Sequence, residues 1–66
     1  MELLIIKSGK DYIRFKDGRF LTTSLDKAGV YPLDKLELVK AYKNQLESEG
    51  FPDVVIKKLV VTEEDL

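Results

Sequence analysis

The fold of this chain is decided by one stretch, residues 3–23, which reads LLIIKSGKDYIRFKDGRFLTT. Two turn signals divide it. Gly9-Lys10 places glycine first in a two-residue loop, as a type II′ turn requires, and Asp17-Gly18 is a favoured pair for a type I′ turn. The stretch therefore predicts three antiparallel strands, at about residues 2–8, 11–16 and 19–23.

The two turns also predict a common register for the three strands. The first loop sets Lys7 opposite Tyr12 and Leu4 opposite Phe15, and the second sets Phe15 opposite Phe20. Because cross-strand partners share a face, one face of the sheet collects an apolar set. Its members are Leu4, Ile6, Ile13, Phe15, Phe20 and Thr22. We expect this face to pack against a helix, and we expect Phe15→Ala to cost about 3–5 kcal/mol.

The opposite face of these strands is predicted to be basic and partly apolar, and we call it the cationic face. Its members are Leu3, Ile5, Lys7, Tyr12, Arg14, Lys16, Arg19 and Leu21. A single helix covers only one face of a sheet, so the cationic face is expected to be open. Two interpretations stand side by side: the long basic side chains cover the aliphatic residues, or the patch binds a partner.

An amphipathic helix is predicted at about residues 35–49. Asp34 is a favourable N-cap with Glu37 three residues further on. Gly50 suits the C′ position, and Pro52 prevents the helix from continuing. One side of this helix is apolar and comprises Leu36, Leu38, Val39, Tyr42 and Leu46.

The remaining segments complete the predicted topology. Residues 24–31 are expected to form a connector in which Thr23 and Asp26 begin one helical turn and Val30-Tyr31 is extended. Residues 54–61, VVIKKLVV, are β-branched and apolar and predict a last strand. A crossover through the helix would set it beside and parallel to the first strand, in the spatial order 3-2-1-4.

The predicted fold class is therefore a single small α+β domain with the order β-β-β-α-β and a mainly antiparallel sheet. Residues 1–62 form the domain, and residues 63–66 form a frayed acidic tail.

Composition argues against several classes of function. The chain has 66 residues, no Cys and no His, so we expect no disulfide framework, no zinc site of the usual kind and no thiol nucleophile. Its 11 basic and 12 acidic residues give a formal net charge of −1, which creates no overall field for nucleic acid or an anionic membrane. The apolar run from Leu3 to Ile6 is shorter than a secretory signal or a membrane span requires. We expect a soluble cytoplasmic protein.

Catalytic and ligand-binding candidates are weak. Gly9-Lys10 resembles the end of a phosphate-binding loop, but position 4 is Leu and position 11 is Asp, so we interpret it as a turn. The carboxylates lie in predicted turns, at the helix start or at the terminus, where we expect neither burial nor the organised pocket that acid–base chemistry needs. We therefore predict no enzyme activity, no cofactor and no metal.

The function predicted from these observations is that of a non-enzymatic interaction module. Its partner would be another protein or a second copy, forming a homodimer, bound through the cationic face or through a sheet edge. Strand 3 offers such an edge because Thr22 and Thr23 carry no charge to block pairing. The alternative is a module that binds single-stranded nucleic acid through the cationic face, on which Tyr12 is the lone aromatic residue.

One resemblance adds to these expectations. Arg19-Phe20-Leu21-Thr22-Thr23 is followed by Leu25-Asp26-Lys27-Ala28, by Tyr31 and by the amphipathic helix. This order resembles short uncharacterised bacterial and phage proteins that carry a strand, a Leu-x-x-Ala motif, an aromatic residue and a helix after an N-terminal hairpin. The resemblance covers roughly residues 10–46. It implies a bacterial or phage origin and the hairpin–strand–helix order, and it implies no activity.

Overall fold

A computed structural model of the chain describes residues 2–65 as five strands and one α-helix. The strands are β1 (Glu2–Ser8), β2 (Asp11–Lys16), β3 (Arg19–Thr23), β4 (Tyr31–Pro32) and β5 (Val54–Val60), and the helix is α1 (Leu36–Ser48). Short 3₁₀ turns at Leu25–Lys27 and Leu33–Lys35 precede β4 and α1. The strands form one antiparallel sheet with the helix packed on it, which confirms the predicted α+β class.

Both predicted hairpin turns are present. The backbone φ angle is 61° at Gly9, 55° at Asp17 and 77° at Gly18. Positive φ is needed at the first loop position of a type II′ turn and at both positions of a type I′ turn. β2 and β3 pair along their whole length in the predicted register, with Phe15 opposite Phe20.

The first hairpin is shorter than predicted. β1 pairs with β2 at only two positions, Lys7↔Tyr12 and Ser8↔Asp11, so the predicted pairing of Leu4 with Phe15 is wrong. Beyond these positions β4 takes the place of β2, with Leu4 opposite Tyr31. The amide of Gly29 donates a hydrogen bond of 3.1 Å to the carbonyl of Ile13, so the connector runs between β1 and β2.

The last strand, β5, lies beside β1 as predicted, but it runs antiparallel to β1. It pairs along the whole of β1, from Glu2↔Val60 to Ser8↔Val54. The extra strand β4 reverses the chain before the helix, so α1 connects β4 to β5, and both of these strands are antiparallel to β1. The observed order is therefore β-β-β-β-α-β rather than β-β-β-α-β. The buried Ser8 fastens the start of β5, because its hydroxyl donates to the carbonyl of Pro52 at 2.6 Å.

The C-terminal end of the helix follows the prediction. Gly50 has a φ of 92°. The amides of Gly50 and Phe51 donate to the carbonyls of Glu47 and Leu46, each at 3.1 Å. This is the hydrogen-bond pattern of a Schellman cap, in which glycine adopts the left-handed conformation at low cost.

The predicted N-cap is wrong. Asp34 lies inside the 3₁₀ turn that runs directly into α1, and no side-chain capping bond forms at either start. Pro32 occupies the N-cap position of this turn instead of Asp34. Its backbone is extended, with a φ of −68°. In the connector, Ser24 rather than Thr23 precedes the helical turn, and its hydroxyl bonds to the carboxylate of Asp26.

The core lies between α1 and the helix-facing side of the sheet. Its buried members are Leu4, Ile6, Ile13, Phe20, Val39, Leu46 and Val54. The predicted positions on the helix-facing side of the strands are thus confirmed as core except for Phe15, which is 40% exposed, and Thr22, which is also exposed. Because the connector separates β2 from β1 beyond Tyr12, Phe15 lies away from the middle of the sheet.

Phe15 instead belongs to the margin of an aromatic cluster centred on Tyr42 of the helix. The ring centroid of Tyr42 lies 5.3 Å from that of Phe15, 5.4 Å from that of Phe20 and 5.9 Å from that of Tyr31. Offset and edge-to-face pairs at these distances are favourable. The cluster joins the β2–β3 hairpin to the helix where direct pairing with β1 is missing.

The two phenylalanines provide a matched test of this packing. Phe20 is 7% exposed, so we expect Phe20→Ala to lower the free energy of unfolding by about 3–5 kcal/mol. Phe15→Ala should cost about half as much because its ring is less buried. Urea denaturation followed by circular dichroism measures both. Equal losses, or a larger loss at Phe15, would contradict the observed burial.

Tyr31 makes the stability of the fold sensitive to high pH. Burial raises the pKa of its phenol, and Tyr42 adds a smaller effect in the same direction. The folded state therefore favours the neutral phenol. This contribution is fully present below the unfolded-state pKa of about 10 and is lost as the pH rises through the higher folded-state pKa.

We accordingly expect the free energy of unfolding to fall more steeply above about pH 10 in the native chain than in Tyr31→Phe. Urea titrations of both proteins across this range measure the difference. Parallel pH profiles would show that the phenol of Tyr31 does not contribute.

Candidate interaction surface

The structure places the predicted cationic face on the side of the sheet away from α1. Phe20 packs against Tyr42 of the helix. Side chains alternate along a strand, so the neighbouring Arg19 and Leu21 lie on the other side, together with their cross-strand partners Lys16 and Arg14. Lys7 and Tyr12 are paired in the same way. The three strands thus bring the predicted residues to one surface.

The members of this surface differ in exposure. Arg14, Lys16 and Arg19 are exposed, and Leu21 is 37% exposed. Leu3, Lys7 and Tyr12 are half-buried. Ile5 is only 4% exposed, so it packs within the fold and is not available to a partner. The apolar part of the cationic face is therefore smaller on β1 than the sequence predicted.

β5 extends the cationic face. The sequence alone predicted members of this face only on the first three strands. Val55, Lys57 and Leu59 lie opposite Lys7, Ile5 and Leu3 of β1 and therefore share their side of the sheet. Val55 is 40% exposed, and Lys57 is exposed. The alternation of these residues was visible in the sequence, but assigning them to a face required the pairing of β5 with β1.

Charge is divided unevenly between the two sides of the molecule. With Lys57 included, the strand positions of the cationic face carry five of the 11 basic residues and no acidic residue. The rest of the chain holds 6 basic residues against 12 acidic ones, a net charge of −6. The molecule is 23 Å across its shorter axes, well beyond a Debye length of about 8 Å in physiological salt. A partner that approaches the cationic face therefore meets a locally positive field, although the net charge of the chain is −1.

Tyr12 is already engaged within the cationic face. The ammonium of Lys7 lies 4.9 Å from the centroid of the Tyr12 ring, a cation–π contact. This contact occupies one face of the ring, where a nucleic-acid base would otherwise be able to stack. It also holds the Lys7 side chain across the first hairpin.

Apolar side chains are also exposed away from the cationic face. The connector and the start of the helix expose Leu25, Val30, Leu33, Leu36 and Leu38, each by between 37% and 48%. The accessible surface is 4937 Å², compared with about 4,300 Å² expected for a folded monomer of this mass. The excess fits the elongated dimensions of 43 × 23 × 23 Å.

The part of the chain that the structure describes shows no metal site, pocket or membrane-spanning helix. Within residues 2–65, no three His, Cys, Asp or Glu side chains are grouped so that they could hold a metal ion, and no pocket is found. No helix among these residues has the length and apolar character needed to span a membrane.

No protein-family model, no curated protein and no solved structure matches this chain. The resemblance to short bacterial and phage proteins therefore stays a prediction.

One pair on the cationic face opposes the stability of the fold. Lys16 lies directly opposite Arg19, next to the Asp17-Gly18 turn, and like charges in this position are destabilising. We expect Lys16→Gln to relieve the repulsion and Lys16→Glu to replace it with attraction, with a total gain of about 0.2–1 kcal/mol.

Urea denaturation at low and high salt measures this ranking. The gain should shrink at high salt because exposed charges are screened. A loss of stability in Lys16→Glu at low salt would show that the pair does not repel.

Proposed function

We propose that this protein is a non-enzymatic protein-interaction module that presents the cationic face to an acidic partner. The observation that carries the proposal is the uncompensated charge of this face, including Lys16 held opposite Arg19. Such a pair lowers the stability of the fold, so a benefit in binding would explain its presence. The expectations of a cytoplasmic protein and of a bacterial or phage origin belong to this proposal.

The apolar content of the face favours a protein as the partner. Leu21 and Val55 are exposed among the basic residues, at 37% and 40%. An extended segment that alternates acidic and aliphatic side chains would pair with the cations and cover these residues at once. Complementary charge of this kind speeds association and selects against wrong partners.

Single-stranded nucleic acid is the second candidate. Five basic residues without a carboxylate on one side of the sheet favour phosphate contacts. Sheet modules that bind single strands also stack bases on exposed aromatic rings. Here Tyr12 is the one aromatic residue among the described members of the face, and Lys7 covers its ring. We therefore rank this function below protein binding.

A titration followed by NMR separates the two functions. The labelled protein is titrated at low salt with a short peptide of alternating Glu and Leu and, separately, with oligothymidine of equal length. We expect the peptide to shift the amide signals of β2, β3 and β5. The double variant Arg14→Glu/Lys16→Glu should weaken peptide binding by at least about tenfold.

The matched control is Lys35→Glu/Lys40→Glu, which makes the same change of net charge near the start of the helix. Peptide binding should be nearly unchanged in this variant. Equal losses in both double variants would mean that overall charge, rather than the cationic face, attracts the peptide. Binding of oligothymidine alone would replace the proposal with the nucleic-acid function, and binding of neither probe would overturn both.

A further inference from the structure

We infer that two copies of this chain pair through the outer edge of β5 and the residues that follow it, 61–65, in an antiparallel arrangement centred on Val61. The inference rests on the proposed interaction function and names a second copy of the chain as a partner. It uses a sheet edge, and the one basic residue that this edge shares with the cationic face is Lys57, so variants of Glu64 and Asp65 test the edge separately.

β5 is the longer of the two strands at the margins of the sheet. It has seven residues and, within residues 2–65, pairs with β1 alone. β3, at the other margin, has five residues. The outer edge of β5 therefore presents a row of backbone donors and acceptors that another strand can pair with. β5 ends at Val60, and no proline between there and Asp65 prevents the chain from continuing as a strand when a second copy pairs with it.

The charges along this edge are unmatched within one copy. Lys57 is exposed and takes part in no ion pair among the described residues. The tail carries Glu63, Glu64 and Asp65, which are all exposed and likewise form no ion pair within residues 2–65. Lys58 bonds to Glu2 at 3.1 Å and keeps more than half of its side chain exposed. One segment thus holds both halves of a complementary charge pattern.

The positions of these charges select one register. Two identical antiparallel strands related by a two-fold axis place one residue opposite itself, and the others pair symmetrically about it. Centring the pair on Val61 sets Lys57 opposite Asp65 of the second copy and Lys58 opposite Glu64 of the second copy. Each pair occurs twice. Centring it on Lys57 would instead set this lysine opposite its own copy, which is destabilising.

The same register covers the exposed apolar end of the strand. Val60 and Val61 are 59% and 43% exposed. In the paired arrangement Val61 lies opposite Val61 of the second copy, and Val60 lies opposite Thr62 of the second copy. β-branched side chains favour such cross-strand contacts. Valine contacts would then form the middle of the interface, Leu59 would lie opposite Glu63 of the second copy on either side of it, and ion pairs would form both ends.

This arrangement also affects the proposed function. A two-fold axis perpendicular to the sheet joins the two five-stranded sheets into one continuous sheet. Both cationic faces then lie on the same side, and both helices lie on the other. The dimer would present two copies of the cationic face to a single partner.

A charge-swap experiment tests the register directly. Sedimentation equilibrium over a range of concentrations should show a dimer for the native chain, and its dissociation constant should rise with salt. Lys57→Glu/Lys58→Glu and Glu64→Lys/Asp65→Lys should each weaken self-association by at least about tenfold. An equal mixture of the two variants should dimerise again, because every opposed pair is then of opposite charge.

A smaller pair of variants guards against misfolding, since Lys58 also bonds to Glu2. Lys57→Glu and Asp65→Lys alter only the outermost pairs and should show the same loss and recovery on a smaller scale. A native chain that stays monomeric at every concentration would overturn the inference. So would dimers that persist in both charge variants, or a mixture that fails to recover. Lys57 belongs to the cationic face, so peptide binding is measured in Glu64→Lys/Asp65→Lys, which should lose the dimer and still bind the acidic peptide.

Discussion

The rest of the structure depends on the need to pair both edges of β1. This strand is apolar on both faces from Leu3 to Ile6 and lies inside the sheet, where unpaired backbone groups would be costly. β5 satisfies one edge along its whole length, whereas β2 and β4 share the other. This division of one edge between two strands accounts for the short first hairpin, the inserted connector and the antiparallel direction of β5.

Dividing the edge also determines where the β2–β3 hairpin obtains its stability. The hairpin stops pairing with β1 after Tyr12. Beyond that point Phe15 and Phe20 hold it to the helix through their contacts with Tyr42. Phe20 lies on the buried side of this contact, and Phe15 lies at its margin. The position of the far end of the hairpin therefore depends on the packing of these rings. The opposite side of the same end carries the basic residues Arg14, Lys16 and Arg19.

The two proposed interaction surfaces use features that folding does not require. The cationic face keeps like charges close together, and the end of β5 with the residues after it carries two exposed valines and a run of acidic residues. Small α+β folds serve many unrelated functions, so the unbalanced charges and exposed side chains indicate function better than the fold does. In both places the unbalanced charge indicates the chemistry of the partner.

Local chemistry in the sequence by itself determined the two hairpin turns, the β2–β3 register, the Schellman cap at Gly50 and most of the core. Each of these depends on residues a few positions apart, or on an alternation that a turn sets in register. The side of the sheet taken by the cationic face followed from the same alternation.

Only the tertiary structure decided which segments compete for the edges of β1. The two-residue strand Tyr31–Pro32 is too short to be marked by periodicity, yet it displaces β2, exposes Phe15 and reverses the direction of β5. Which distant segments pair depends on how all of them together supply hydrogen-bond partners to the backbone of β1. For that reason the contribution of Val55, Lys57 and Leu59 to the cationic face, and the burial of Ile5 within it, required the three-dimensional fold.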